Sequence, residues 1–319
     1  MHDNDFVKLA EDLEAALLEG ATSVAILGAT PTTLRLLARL TTIGFDGCLH
    51  GIYTDEPRTP VLRIPVRPLQ QLSRDQLDVV VVADDQDKES LLRAALPYIN
   101  GTPKIIVAGY GHLAYRNPDY HQQLAELLVP SLANGYPNTL PHLHQCLTNA
   151  ARLGLHGVVA EFGMFKGGTT MFLSRTIEQL GTDWPVIGFD TFNGFPPRRS
   201  PLDMYDHPDC VFTDLDAVRR YLTGRDVEIV AGDIAATAHR LDNEDVVCAF
   251  VDTDNYTPAR AAIEVVQERT IVGGAIVFDH FTGVDRFRYT LGERMAGIPL
   301  LEDPRYFHLH GTGVFYRQR

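Results

Sequence analysis

Cysteine is scarce: four in 319 residues, at 48, 146, 210 and 248, far apart and in no C-x-x-C pair. That argues against a disulfide framework or a zinc cage and predicts reduced thiols in a cytoplasmic protein. No apolar run reaches the roughly 18 residues of a membrane span. The opening stretch, MHDNDFVKLAEDLEAALLEG, has neither a basic n-region nor a long apolar core, so no signal peptide is expected. Its Phe6, Leu9, Leu13 and Leu17 recur at helical spacing instead. Positive charge is also short. Against 41 acidic side chains stand 28 basic ones, for a formal charge of −13. A duplex or anionic membrane partner would need a strong basic patch. The chain offers only the doublets Arg198–Arg199 and Arg219–Arg220, which read as solvated surface. No internal repeat or low-complexity segment is present.

What remains is an ordinary globular composition, 45% hydrophobic, in a length that suggests two domains. From Thr22 the pattern alternates. TSVAILG (22–28), CLHGIYTD (48–55), DVVVVAD (78–84) and KIIVAGY (104–110) read as strands, and PTTLRLLARLTTI (31–43) and KESLLRAALPYI (88–99) as helices. Strands alternating with helices predict a parallel sheet covered on both faces. Residues 1–110 therefore form a first α/β unit. Residues 111–155 read as a helical connector or lid, with helices in HQQLAELLVPSL and TLPHLHQCLTNAARLGL separated by the turn-rich ANGYPN. Its histidines, with His156, read as surface or packed core.

A second alternation fills 156–319. Strands are expected at 157–163, 185–190, 226–233, 246–252 and 274–279, helices at 169–180, 215–222 and 259–270, and a terminal antiparallel hairpin about HGTG. The strands end on a common theme. VVAEFGMFKGGTT (158–170) runs from an apolar strand through Glu161 into a loop with Gly163, Gly167 and Gly168. PVIGFD ends on Asp190, AGD on Asp233, FVDTD on Asp252 and Asp254, and FDH on Asp279 and His280. In an open α/β sheet, ligands sit beyond the carboxyl ends of the strands. Glycines let backbone pass close to a ligand, and the following helix N-terminus offers free N–H groups. Glu161 suits an ammonium or a hydroxyl, and an acid at the second strand tip suits a ribose diol. Each such residue can also be a plain helix cap. Five strand ends giving the same answer favour a site.

The motifs E-F-G-M-F-K-G-G-T (161–169), F-D-T-F-N-G-F-P (189–196), D-T-D-N-Y (252–256) and G-G-A-I-V-F-D-H-F (273–281) carry a resemblance. From about residue 136 onward the chain resembles class I S-adenosylmethionine-dependent methyltransferases, and within them the macrocin O-methyltransferase family, which acts on hydroxyls of sugars and other natural-product scaffolds. The resemblance implies that Glu161 and the loop residues Gly163, Phe165, Lys166, Gly167, Gly168 and Thr169 hold the methionine moiety. It implies that Asp190, with Thr191 and Phe192, takes the ribose, and that Gly232 and Asp233 lie near the adenine. It also implies magnesium on acidic residues after the fourth and fifth strands, here Asp252, Asp279 and His280. The family usually has an aspartate where this chain has His280, which allows a softer ion. The acceptor hydroxyl must lose a proton, to a metal-activated path or to His280 or Asp254 as general base. Tyr256 is a candidate substrate contact, although Y-T-P is also an ordinary helix start. The loop NGFPPRRSPLDMYDHPDC is long enough to be a lid, and reads equally as a plain surface excursion. A small-molecule acceptor and a homo-oligomer, a dimer, complete the expectation.

The first unit is plainer. GATPTT (28–33) has one glycine where a dinucleotide fingerprint has three. It loosely resembles Rossmann-like accessory domains of sugar C-methyltransferases, which implies docking or oligomerisation. Two rivals stand beside the methyltransferase reading: an NAD-dependent sugar-modifying oxidoreductase that uses Asp55, and a non-catalytic protein that keeps the cofactor fold as a scaffold.

Overall fold

The computed structural model describes residues 3–55, 61, 64–134, 138–283 and 288–319. The turn residues Gly135, Tyr136 and Pro137 of ANGYPN lie outside them. The chain falls into two compact units, Met1–Tyr115 and Arg116–Arg319.

In the first unit, helix α1 (Asp3–Leu18) buries Leu9, Leu13 and Leu17, as its periodicity requires. Strand β1 (Val24–Leu27) leads into α2 (Pro31–Ile43). Pro31 sits in the first turn of α2, the Thr33 hydroxyl accepts the Thr30 N–H, and Gly44 ends the helix in a left-handed conformation. Strands β2 (Leu49–Thr54), β3 (Val66–Pro68) and β4 (Val79–Val82), helix α3 (Lys88–Ala95) and strand β5 (Lys104–Ile106) complete it. The sheet is parallel, in the order β3-β2-β1-β4-β5. β3 was not expected, because a three-residue edge strand ending in proline carries no alternation to read.

The second unit begins with α4 (Pro118–Ala125) and α5 (Leu140–Arg152). Asn117 caps α4 on the Tyr120 N–H, so this helix starts and ends earlier than its periodicity predicts. Then follow β6 (Val158–Phe162), α6 (Gly168–Leu180), β7 (Val186–Asp190), α7 (Leu215–Tyr221), β8 (Val227–Ala231) and the single turn α8 (Ile234–Thr237). The chain closes with β9 (Val246–Val251), α9 (Tyr256–Arg269), β10 (Thr270–Phe278), α10 (Leu291–Gly297), β11 (Tyr306–His308) and β12 (Val314–Arg317). The sheet order is β11-β12-β10-β9-β6-β7-β8. β6 to β10 are parallel, and β12 runs antiparallel to both β10 and β11. This is the expected mostly parallel sheet with a terminal antiparallel hairpin.

The order fixes the site. From β6 the chain builds outward through β7 to β8, then returns to place β9 on the other side of β6. The crevice of an open sheet lies at that reversal, beyond the carboxyl ends of β6 and β9. Beneath it, Val158, Ala160 and Phe162 of β6 pack into a core with Ala259, Ala262 and Ile263 of α9 and Ile276 and Phe278 of β10. Because side chains alternate along a strand, Glu161 points to the opposite face.

Candidate active site

A cavity of about 260 Å³ opens where the sheet order predicts it. That volume suits a small molecule and admits no folded partner. Gly163, Phe165, Asp190 and Thr191 line one side, from the loops after β6 and β7. Asp252, Asp254, Asp279 and His280 line the other, from the loops after β9 and β10. The two sides approach closely: a Cβ on Gly163, at φ +96°, would lie 1.8 Å from the Asp252 carbonyl oxygen. Only glycine allows this crossing of the two loops.

Asp190 ties the first side together. Its Oδ2 accepts the Phe165 N–H and its Oδ1 the Phe192 N–H, each at 2.8 Å. Both phenylalanines have φ +48°, in the sparsely populated left-handed region, so the carboxylate holds two strained backbones. Burial raises the Asp190 pKa, and the Phe192 and Phe165 N–H groups work against that shift. Each oxygen keeps a lone pair, so the group can still accept two hydroxyls.

Glu161 is fully buried and stands behind the cavity wall. Neither carboxylate oxygen has a hydrogen-bond partner among the described residues. Burial drives its pKa up to about 8; the Thr170 hydroxyl opposes the shift and the Asp190 charge adds to it. A carboxyl held protonated in the folded state, against an ordinary value of 4.5, makes stability fall as pH rises from about 4.5 to about 8 and level off above. Glu161→Gln removes the titration. Its thermal midpoint should match the wild type near pH 5 and exceed it by at least ~3 °C at pH 8.5. A difference that does not change with pH in differential scanning fluorimetry would dismiss this assignment.

The other side is a buried acid cluster around one imidazole. His280 Nε2 lies 3.1 Å from Asp254 Oδ1 and 3.4 Å from Asp279 Oδ2. Burial lowers the imidazole pKa, but the Asp254 hydrogen bond and the charges of Glu293, Asp254 and Asp279 outweigh it and push it up to about 10. Burial also raises Asp252 well above its ordinary value, reinforced by Asp279 and Asp254 and opposed by His280. Asp279 is raised to about 6, mainly by burial, with His280 and Thr139 opposing. Four carboxyl groups, counting Glu293, thus crowd one imidazole, and a cation in place of their protons would relieve the repulsion between their ionised forms. Ligand atoms of Asp252, Asp254 and His280 lie within 4.8 Å of one another. Two carboxylates and one imidazole are a donor set that fits a divalent ion, and a borderline one better than magnesium. Asp279, expected in that trio, is not in the gathered group, and its Oδ1 makes no hydrogen bond among the described residues.

The remaining expected residues lie off the wall. Lys166 is exposed, its ammonium 4.7 Å from the Phe165 ring centroid and 5.4 Å from that of Phe212. Gly167 caps α6 in a left-handed conformation, and a Cβ on Gly168 would lie 2.5 Å from the Pro130 carbonyl oxygen. Thr169 Oγ1 lies 2.7 Å from Ser131 Oγ. Gly168 and Thr169 thus serve the packing of segment 129–131 on the helix start, while a Cβ on Gly167 would lie 3.3 Å from Val218 of α7. Phe192 is buried with Met164, Met171 and Val218. Gly232 takes φ +141°. Asp233 caps α8 and pairs with Arg199 at 2.8 Å, while the next residue, Ile234, reaches the cavity. The Tyr256 hydroxyl accepts from Arg260, and Pro258 of the same helix lines the cavity in its place.

The 193–210 loop supplies Phe195, Tyr205 and Cys210 to the wall. It is not a free flap along its whole length. Asp203 accepts from the Arg199, Ser200 and Thr257 N–H groups and from the Thr257 hydroxyl. Asn255 exchanges two hydrogen bonds, both 2.9 Å, with the Tyr205 backbone. The sequence reading missed these anchors, and it missed Glu293. Their signal is faint: single polar residues outside any strand end.

The family described as Macrocin-O-methyltransferase (TylF) matches this chain over residues 134–318. Among curated proteins, the 8-demethyl-8-(2,3-dimethoxy-alpha-L-rhamnosyl)-tetracenomycin-C 4'-O-methyltransferase of Streptomyces olivaceus is 25% identical over 215 residues, 63% of this chain and 81% of that one. Among solved structures, the O-methyltransferase NovP is 16% identical, with a TM-score of 0.47, over 56% of this chain and 78% of that chain. The calicheamicin methyltransferase CalS11 is 19% identical, with a TM-score of 0.42, over 64% and 94%.

Proposed function

The chain belongs to the macrocin O-methyltransferase family, and from that premise we propose that its cavity brings a sugar hydroxyl of a natural product to the methyl group of S-adenosylmethionine. The enzyme class, an S-adenosylmethionine-dependent methyltransferase, follows from the family. The sugar acceptor is the proposal, and the tetracenomycin rhamnosyl methyltransferase among its relatives supports it. The observation that carries the reading is one cavity lined on one side by Asp190 and on the other by Asp252, Asp254, Asp279 and His280.

Bound S-adenosylmethionine supplies a methyl already activated on a sulfonium. The protein's part is to place the acceptor and remove its proton. Asp190 takes the ribose hydroxyls. Glu161, behind Gly163 and protonated in the empty site, would ionise beside the ammonium, whose charge favours the carboxylate. His280, held charged by its acidic neighbours, is a poor base and a good orienter: its Nε2–H fixes the Asp254 carboxylate 3.1 Å away. Asp254 then accepts the acceptor's proton. A divalent ion would take the place of the His280 proton: Asp252, Asp254 and a neutral His280 would hold it, and it, in place of Asp254 as base, would lower the pKa of the acceptor hydroxyl.

The test is transfer of a labelled methyl group from S-adenosylmethionine to tetracenomycin C bearing an unmethylated rhamnose. One methyl ether on the sugar, located by NMR, is expected. Tight S-adenosylhomocysteine binding with no transfer to this or any other glycosylated polyketide acceptor would favour the non-catalytic scaffold. Nicotinamide binding lost in Asp55→Ala would favour the oxidoreductase.

A further inference from the structure

We propose that Glu293 is a positioning residue that locks the two acid-bearing loops into one unit, and so sets where Asp254 and His280 meet the acceptor. The proposal rests on the reading of those two residues given above.

Glu293 lies in the first turn of α10 and is 0% exposed. A buried carboxylate is costly unless donors surround it, and here three main-chain N–H groups do so. Oε2 accepts the consecutive N–H groups of Thr253 and Asp254, at 2.8 and 2.9 Å. Oε1 accepts the His280 N–H at 2.8 Å. One carboxylate therefore spans the loop after β9 and the loop after β10. Paired N–H groups converging on one oxygen form a strong anion-binding concavity. Asp254 has φ +61°, so its backbone needs external support to stay in the left-handed region.

The helix is built to deliver this group. A Cβ on Gly292 would lie 2.2 Å from the Leu202 carbonyl oxygen and 2.8 Å from the Tyr256 N. At the other end, a Cβ on Gly297 would lie 2.9 Å from the Phe278 ring. Glycines at both ends let α10 press against α9 and β10 closely enough for a two-carbon arm to reach both loops. Glu293 does not line the cavity, so its effect on the reaction passes through the backbones it holds.

The experiment compares Glu293→Gln, Glu293→Asp and Glu293→Ala in the full chain. Glutamine keeps one acceptor oxygen, enough for one loop, and aspartate is too short to reach both. All three should bind S-adenosylhomocysteine within ~3-fold of wild type by calorimetry, since Asp190 is untouched. Their kcat on the rhamnosyl-tetracenomycin probe should fall about 10–30-fold for glutamine and aspartate and further for alanine, with KM for S-adenosylmethionine unchanged. Amide exchange at Thr253, Asp254 and His280 should quicken while the β6 and β7 amides stay protected. Wild-type kcat in the folded glutamine and aspartate variants would overturn the proposal. So would a loss of kcat matched by equal loss of S-adenosylhomocysteine affinity, the mark of a merely structural role. If the wild type does not methylate the probe, amide exchange alone decides: unchanged protection at the three amides sinks the proposal, and selective loss supports it.

Discussion

Asp190→Ala should weaken S-adenosylhomocysteine binding about 100-fold, read by calorimetry. The carboxylate already accepts the Phe165 and Phe192 N–H groups, and its two remaining lone pairs point the proposal to a ribose diol. Hydrogen bonds to a charged acceptor contribute roughly 1.5–3 kcal/mol each, so losing two costs at least two decades of affinity. A second effect has the same sign. Without the carboxylate, the left-handed backbones of Phe165 and Phe192 lose its two hydrogen bonds, and the loops after β6 and β7 can relax out of their binding shape. Asp190→Asn separates the effects, because the amide oxygen still serves one backbone and one hydroxyl; about a tenfold loss is expected. Affinity within threefold of wild type in a folded alanine variant would dismiss the ribose role.

The parts of this site legible in the sequence are those that obey a rule of the strand. Apolar runs that end on an acid announced Asp190, Asp252 and Asp279, because a buried parallel strand reads as a continuous apolar stretch and its carboxyl end faces the crevice. The same rule overreached at Asp233. There the acid ends a partly exposed edge strand and is used as a helix cap and an ion pair with Arg199. Glu161 obeys the rule in sequence, yet it sits one residue before the strand end, and alternation turns it toward Thr170 of α6, behind the wall. Glu293 follows no local rule. It lies in a seven-residue helix with little periodicity, and its importance comes from two loops 13 and 39–40 positions away. Asp203 and Asn255 are illegible for the same reason: a loop anchor is a three-dimensional coincidence of single residues.

The largest effect is expected at Asp254. Asp254→Asn should lower kcat for methyl transfer by about 10³-fold, the middle of the range for loss of a general base, with S-adenosylhomocysteine binding retained. The amide keeps the size and the left-handed backbone preference of aspartate, so the loop is spared while the proton acceptor is removed. His280→Gln should cost less, about 10²-fold, because it removes the group that orients the carboxylate and leaves the carboxylate itself. The order of these losses separates two mechanisms. If His280 were the base, its loss would be the greater. Asp254→Asn with kcat within tenfold of wild type would remove Asp254 from the chemistry altogether. Chelator treatment then distinguishes how the proton leaves. Full activity in chelator-treated wild type means Asp254 and His280 suffice as an ion pair, 3.1 Å apart. Activity lost to chelation and restored by manganese more fully than by magnesium means that a cation takes the place of the cluster's protons, as its mixed oxygen and nitrogen donors favour.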